Sequence, residues 1–204
     1  MNKKVFVLDL DGTLYYQFPV RVMMAIELLF YYLFHLKGIK DLKLILAYRK
    51  AHDKVTFDLD CFSKDYSYSS KRVQEIVQYW LMERPLKWIS LFSDTKLLNL
   101  LKNERIFIFS DYPTQKKLKA LHIVPEDQLF YGDGNIQFMK PHPQGLLYIK
   151  TKYNLNREDM IFIGDRFEKD GLCAENFGCR YIILSSIPFF RWYQYKRIKD
   201  AIKN

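Results

Sequence analysis

The stretch Val5-Phe6-Val7-Leu8-Asp9-Leu10-Asp11-Gly12-Thr13 decides how the rest of the chain is read. An apolar run from Val5 to Leu10 that halts at Asp11, Gly12 and Thr13 is the pattern of a strand buried on both faces of a parallel sheet and opening into a loop. In an extended segment alternate residues share a side, so Asp9 and Asp11 point into one crevice. That crevice lies at the carboxyl end of the strand, where open α/β sheets bind ligands. Two carboxylates this close repel unless a proton or a cation sits between them. Mg²⁺ suits the pair, because it takes hard oxygen ligands and keeps waters beside a substrate phosphate. Gly12 lets the backbone turn sharply, and Thr13 offers a hydroxyl and an amide to an anion. Standing alone, the motif would be read as a strand-end turn with an Asx cap.

Three more apolar runs follow, IFIFS from Ile106, MIFIGD from Met160 and YIIL from Tyr181. Helical patterns lie between them: TKLLNLLKNE, PTQKKLKALHI, PHPQGLLYIKTKYNL and EKDGLCAENFG. Strands alternating with helices predict an α/β fold with a doubly wound, Rossmann-like parallel sheet. Residues 15–92 interrupt that rhythm with helical signals at 20–36, 41–53 and 71–83 and no comparable strand run. The expected organisation is a core of residues 1–14 and 93–204 with an inserted all-helical cap at 15–92. Within the insert, Val22 to Leu36 is an apolar run of 15 residues that contains Glu27 and His35. Spanning a bilayer takes about 20 apolar residues, so this run predicts a buried or interface-forming helix.

The 204 residues are 49% hydrophobic and 17% aromatic, enough to bury a core and too apolar for a disordered chain. Cys61, Cys173 and Cys179 have no metal-ligand spacing and read as buried thiols in a reducing compartment. The N-terminal apolar run breaks at Asp9 and Asp11 before a signal-peptide core forms, so a cytoplasmic location is expected. The net charge of +9 is uneven. Residues 15–92 carry 12 Lys+Arg against 8 Asp+Glu, and residues 186–204 carry 5 against 1, so each has +4, while the remainder has +1. Insert and tail therefore face anionic partners. Arg21, Arg49, Lys50 and His52 could reach a second anionic group on a substrate, although each alone is an ordinary surface charge. The tail FFRWYQYKRIKDAIKN has the composition of a membrane-surface or nucleic-acid patch. Packing of its aromatics on the core, with the lysines in water, is the expectation; a single short basic segment binds anionic lipid weakly, and membrane-surface contact has no support at this level.

Further chemistry-bearing residues fall at the same sheet edge. Ser110 closes IFIFS and can donate to a phosphate oxygen. Lys140, in Met139-Lys140-Pro141-His142-Pro143, precedes a helix and brings a fixed charge. Gly164-Asp165 ends MIFIG, with Asp170 five residues on, and both acids can hold a metal from the opposite side. In order and placement these four features resemble the motifs of the haloacid dehalogenase superfamily of phosphotransferases. The insert resembles the helical cap of the subfamily that contains phosphoglycolate phosphatase and β-phosphoglucomutase.

The resemblance implies a phosphatase acting on a small phosphorylated substrate. Asp9 would attack phosphorus to form an aspartyl-phosphate, and Asp11 would protonate the leaving oxygen and then activate water. Thr13 and Ser110 would bind phosphate oxygens, with Lys140 stabilising charge through both steps. Mg²⁺ would be held by the Asp9 carboxylate, the Asp11 backbone carbonyl and Asp165, with Asp170 as a ligand or through water. No histidine is needed, which leaves His35, His122 and His142 without a role. An acid at position 11 speaks against a dehalogenase and for a phosphatase or a phosphomutase. A basic adaptor binding nucleic acid or an anionic membrane through the tail is the reading from another class, and the complete catalytic set argues against it as the main role. Two features depart from the family pattern: Leu14-Tyr15-Tyr16-Gln17, where many relatives place an acid, and Asp111, where Asn commonly follows the hydroxyl residue.

Overall fold

A computed structural model of the chain describes residues 4–34, 39–52 and 58–203, with side chains at all of these except 32, 39 and 49–52. His35 and the side chains of Arg49, Lys50 and His52 thus lie outside the described residues. The first apolar run forms β1, Val5–Leu8, every residue of it buried. It occupies the centre of a five-stranded sheet in the order β3-β2-β1-β4-β5. The other strands are β2, Arg105–Ser110, β3, Asp127–Phe130, β4, Met160–Gly164, and β5, Arg180–Ile183. All neighbours pair in parallel, with Leu8 level with Ile108 on one side and Ile163 on the other. The unbroken apolar runs of β1 and β4 follow from this, since a central parallel strand has no solvent face. The doubly wound α/β architecture read from the sequence is the one observed.

Strand β3 has no counterpart in the sequence reading. Its Asp-Gln-Leu-Phe buries only Leu129 fully. Pairing of Phe107 with Asp127 along the sheet edge, rather than local hydrophobicity, makes it a strand.

The chain divides into two compact units, Met1–Phe18 with Ile89–Asn204, and Pro19–Trp88. Tyr15 and Tyr16, assigned from the sequence to the insert, belong with the first unit. Tyr15 bridges Ser93, and the Tyr16 N–H donates to the Phe92 carbonyl at 2.9 Å. The sheet unit is completed by α6, Thr95–Leu101, α7, Gln115–Ala120, α8, Gln144–Lys152, α9, Leu172–Phe177, and α10, Arg191–Lys203. Its core gathers Phe107, Phe109, Leu146, Ile149, Phe162 and Phe177. Burial pushes the Cys173 thiol there up to about 12. Cys61, expected to be buried, is exposed.

The helical unit holds most of α1, Gln17–Phe34, with α2, Ile39–His52, α3, Leu59–Asp65, α4, Ser70–Val77, and the start of α5, Leu86–Leu91. Helix α4 runs on into a wider π-type turn at Gln78–Glu83. Asp58 and Ser69 cap α3 and α4 by accepting backbone N–H groups that a helix start leaves unpaired. A small core of Leu44, Ile45, Phe62, Val73, Ile76, Val77 and Trp80 holds the unit. Of the two expectations for helix α1, burial within the chain is not met along its second half: Leu29, Phe30, Leu33 and Phe34 are all more than half exposed. Only part of its apolar surface can meet so small a core. Among the described residues no helix is long and apolar enough to cross a membrane.

Candidate active site

The chain leaves β1 towards β2 and leaves β4 towards β5, so the loops after these adjacent strands diverge. That divergence opens the crevice in which α/β sheets bind ligands. Asp9 follows β1 and Asp165 follows β4, and the Asp9 N–H donates to the Ile163 carbonyl at 2.9 Å, fixing one loop on the other. Lys140 reaches in from the segment before α8. Its Nζ donates to Asp9 Oδ1 at 2.5 Å and to Asp170 Oδ1 at 2.6 Å, between the Phe109 and Phe162 rings. All three charged groups are under 5% exposed. Asp170 is oriented in turn by the N–H groups of Asp165 and Arg166, each 3.1 Å from its Oδ2. Gly164 makes room for this approach, because a Cβ there would stand 2.3 Å from the Asp170 Cβ.

Three carboxylates share the pocket with one buried ammonium. Oxygens of Asp9, Asp165 and Asp170 lie within 4.8 Å of one another. Burial pushes the Asp9 carboxyl up to about 7, with Lys140 opposing and Asp170 adding to the rise. Burial, then the Asp170 charge, raises Asp165 to about 6. For Lys140, burial favours the neutral amine, but Asp9, Asp170 and Asp111 outweigh it and hold the ammonium charged. The acids thus exceed the cation, as they would in a site made to receive another positive charge. Asp165 Oδ1 is buried with no hydrogen-bond partner. Gly12, at φ +89°, leaves open the space beside that carboxylate, where a Cβ would come 2.2 Å from Asp165 Oδ2. An unpaired buried oxygen, surplus negative charge and an all-oxygen donor set fit a small hard divalent cation.

The remaining predicted residues are placed as follows. Thr13 is fully buried, its hydroxyl 3.5 Å from Asp9 Oδ2. Ser110 is buried at the end of β2, its Oγ accepting the Tyr112 N–H at 3.2 Å. Asp11 points elsewhere than the carboxylate cluster. Both its oxygens meet Lys117 Nζ at 2.6 Å, and Oδ1 also accepts the Tyr15 hydroxyl at 2.5 Å. Its side chain is therefore outside the metal-binding set, which leaves the backbone carbonyl as the only route by which residue 11 could serve there. Asp111 turns out to be structural: it accepts the Lys140 N–H at 3.0 Å and pairs with Lys169 at 2.8 Å. It thereby positions the chain that carries the lysine.

Arg191 is the largest omission from the sequence reading. Counted from the sequence only among the cations of the tail, it is fully buried at the start of α10. Its guanidinium donates to the carbonyls of Gly12, Thr13 and Ser185 and to Asp94 Oδ2 at 2.6 Å, and it lies over the Tyr16 ring. Asp94 also accepts the Tyr195 hydroxyl at 2.6 Å and caps α6 through Leu97 N–H. The loop after Asp9 is thus gripped from behind by the C-terminal helix. Lys117 and Arg191 carry no motif, and nothing in their neighbouring sequence singles them out; Tyr15 stands out only as part of a segment that departs from the family pattern.

Residues 3–178 match the family model of haloacid dehalogenase-like hydrolases. Solved structures share the fold at low identity. A 2-haloacid dehalogenase from Pseudomonas syringae pv. tomato DC3000 superposes with a TM-score of 0.60 at 17% identity, over 90% of this chain and 86% of that one. A HAD-superfamily hydrolase of subfamily IA from Geobacter sulfurreducens PCA gives 0.55 and 16%, covering 92% of each chain. A protein described as a predicted phosphoglycolate phosphatase, from Haemophilus somnus 129PT, gives 0.54 and 17%, over 90% and 86%. Among curated proteins no sequence matches.

Proposed function

The chain belongs to the haloacid dehalogenase-like hydrolases, and from that premise we propose that it is a Mg²⁺-dependent phosphatase working through an aspartyl-phosphate. The observation that carries this reading is the quartet of buried Asp9, Lys140 and Asp170 with half-buried Asp165, and a second acid, Asp11, two residues beyond the first. Asp9 Oδ1 is held by Lys140, whereas Oδ2 has only the 3.5 Å contact to Thr13, so Oδ2 is the nucleophile. Its attack forms the P–Oδ bond as the bond from phosphorus to the leaving oxygen breaks. Asp11 delivers a proton to that oxygen, for which it must first exchange its contact with Lys117 for one with the substrate. Water, giving a proton to Asp11, then attacks phosphorus and restores the Asp9 carboxylate. Lys140 stays charged throughout and offsets the negative charge gathered on Asp9 and the phosphoryl oxygens. Thr13 and Ser110 supply hydroxyls to those oxygens. Mg²⁺, held by Asp9, Asp165 and Asp170, would neutralise phosphoryl charge when bound.

The helical unit, inserted between β1 and α6, is assigned the task of selecting among small phosphorylated metabolites. A generic aryl phosphate tests the chemistry. Turnover that requires Mg²⁺ and disappears in Asp9→Asn is expected; turnover that persists in the variant, or none with any divalent cation, defeats the proposal.

A further inference from the structure

Helix α10 has two faces of different character. Arg191, Tyr195, Ile198 and Ala201 are buried against the sheet unit. The aromatic residues expected to pack beside them do not. Phe189 is 79% exposed, Trp192 60%, Tyr193 55%, and Phe190 and Ile187 53% each. Phe189 packs edge-on to Phe190, and Trp192 to Tyr193, so the four rings form two pairs at one end of the helix. The cations on the outer face also fall into order. At 100° per residue, Trp192, Lys196, Lys199 and Lys203 come within about 60° of one another, about 125° round the helix from the middle of the buried face. All four are exposed. Arg197 lies outside the stripe, about 40° from the buried Ala201, and Asp200, the one acid on the helix, lies about 40° from Lys196, so the stripe keeps an excess of two positive charges.

We propose that this face is a docking surface for an anionic lipid bilayer. Between Ile187 and Tyr193 the only cation is Arg191, which is buried and committed to Asp94 and the Gly12–Thr13 carbonyls. The apolar end therefore presents uncharged rings, the group suited to the boundary of headgroup and acyl chain. Behind it the lysine stripe meets the lipid phosphates. A nucleic-acid surface would instead interleave its cations with the rings on which bases stack. Rings and lysines together provide the two separate contributions that stable surface binding needs, where one alone is marginal.

The test is sedimentation of the full chain with vesicles of phosphatidylcholine, with and without phosphatidylglycerol, at low and high salt. Binding to the anionic vesicles at least about tenfold stronger than to the neutral ones is expected, weakening as salt rises. Two double variants separate the contributions: Phe189→Ser with Trp192→Ser, and Lys196→Glu with Lys199→Glu. Each should weaken binding about tenfold or more while leaving the melting temperature unchanged, since all four side chains face solvent. Absence of binding to anionic vesicles overturns the proposal, as does binding that both double variants retain. Preferential capture by a single-stranded oligonucleotide at equal phosphate concentration also overturns it.

Discussion

The sheet unit buries some of its charged residues to under 5% exposure, and these are paired: Lys140 with Asp9 and Asp170, Arg191 with Asp94. In the helical unit the best-formed cluster is Glu27 with Arg84 and Lys87, whose cations are 40% and 52% exposed. Burial would raise the Glu27 carboxyl, but hydrogen bonds from Lys87 and Arg84 outweigh it and hold it below the usual range. Its indole partner, Trp88, donates at 3.0 Å. Buried charge is costly unless paired, and removing one partner leaves the whole desolvation penalty with the other. The sheet unit accepts that cost at the candidate site and behind the loop that follows β1. The helical unit avoids it and instead leaves apolar surface of α1 in water. The buried charges of the first unit therefore tolerate little substitution, and the exposed pairs of the second tolerate much.

Four measurements press on this contrast. The largest effect is expected from Asp9→Asn, which should lower aryl-phosphate turnover at least about a thousandfold, whereas Glu27→Gln changes it less than tenfold; a comparable loss from both would erase the functional distinction between the units. Next, Arg191→Met strands Asp94 in the interior and should cost about 3–5 kcal/mol, a fall in melting temperature on the order of 10 °C. Calorimetry of this variant beside its parent checks it.

The third measurement concerns pH. The Asp9 carboxyl is raised to about 7 in the fold from an ordinary 3.8. Its contribution to stability is therefore complete below the ordinary value and is lost as pH rises through about 7. In the presence of a chelator, Asp9→Asn should melt several degrees above its parent at pH 8, the gap closing towards pH 4. Added Mg²⁺ should close the same gap at pH 8 by stabilising the parent. A gap that widens on acidification would refute the burial argument for Asp9. The smallest effect belongs to Arg72→Ala. It breaks a surface pair whose side chains are 54% and 51% exposed and should change stability by less than about 0.5 kcal/mol, measured by urea unfolding.

How much of this was legible in the sequence differs from residue to residue. Asp9, Lys140 and Asp170 could be named because each stands beside an apolar strand run or a turn residue, and their chemistry follows from their type. The rotation of Asp11 towards Lys117 could not, since the two are 106 positions apart and Lys117 sits in an unremarkable Lys-rich helix. Asp111 looked like a departure from a family pattern and proves to be the acceptor that positions Lys140. The tail misled for a physical reason. Composition counts Arg191 with the surface cations and the rings with the core, but docking of α10 through Tyr195, Ile198 and Ala201 turns the arginine inward and four of the rings outward.

By itself the sequence determined the parallel sheet, its doubly wound class and the identity of the acids and the lysine at its carboxyl edge. Those follow from apolar runs and turn residues that act within a few positions of one another. The tertiary structure alone decided which charges pair across the chain, that Arg191 braces the loop beside the candidate nucleophile, and which side of the last helix meets solvent. Such outcomes depend on contacts between segments as much as 179 residues apart, where burial, and not local pattern, sets the energy of each group.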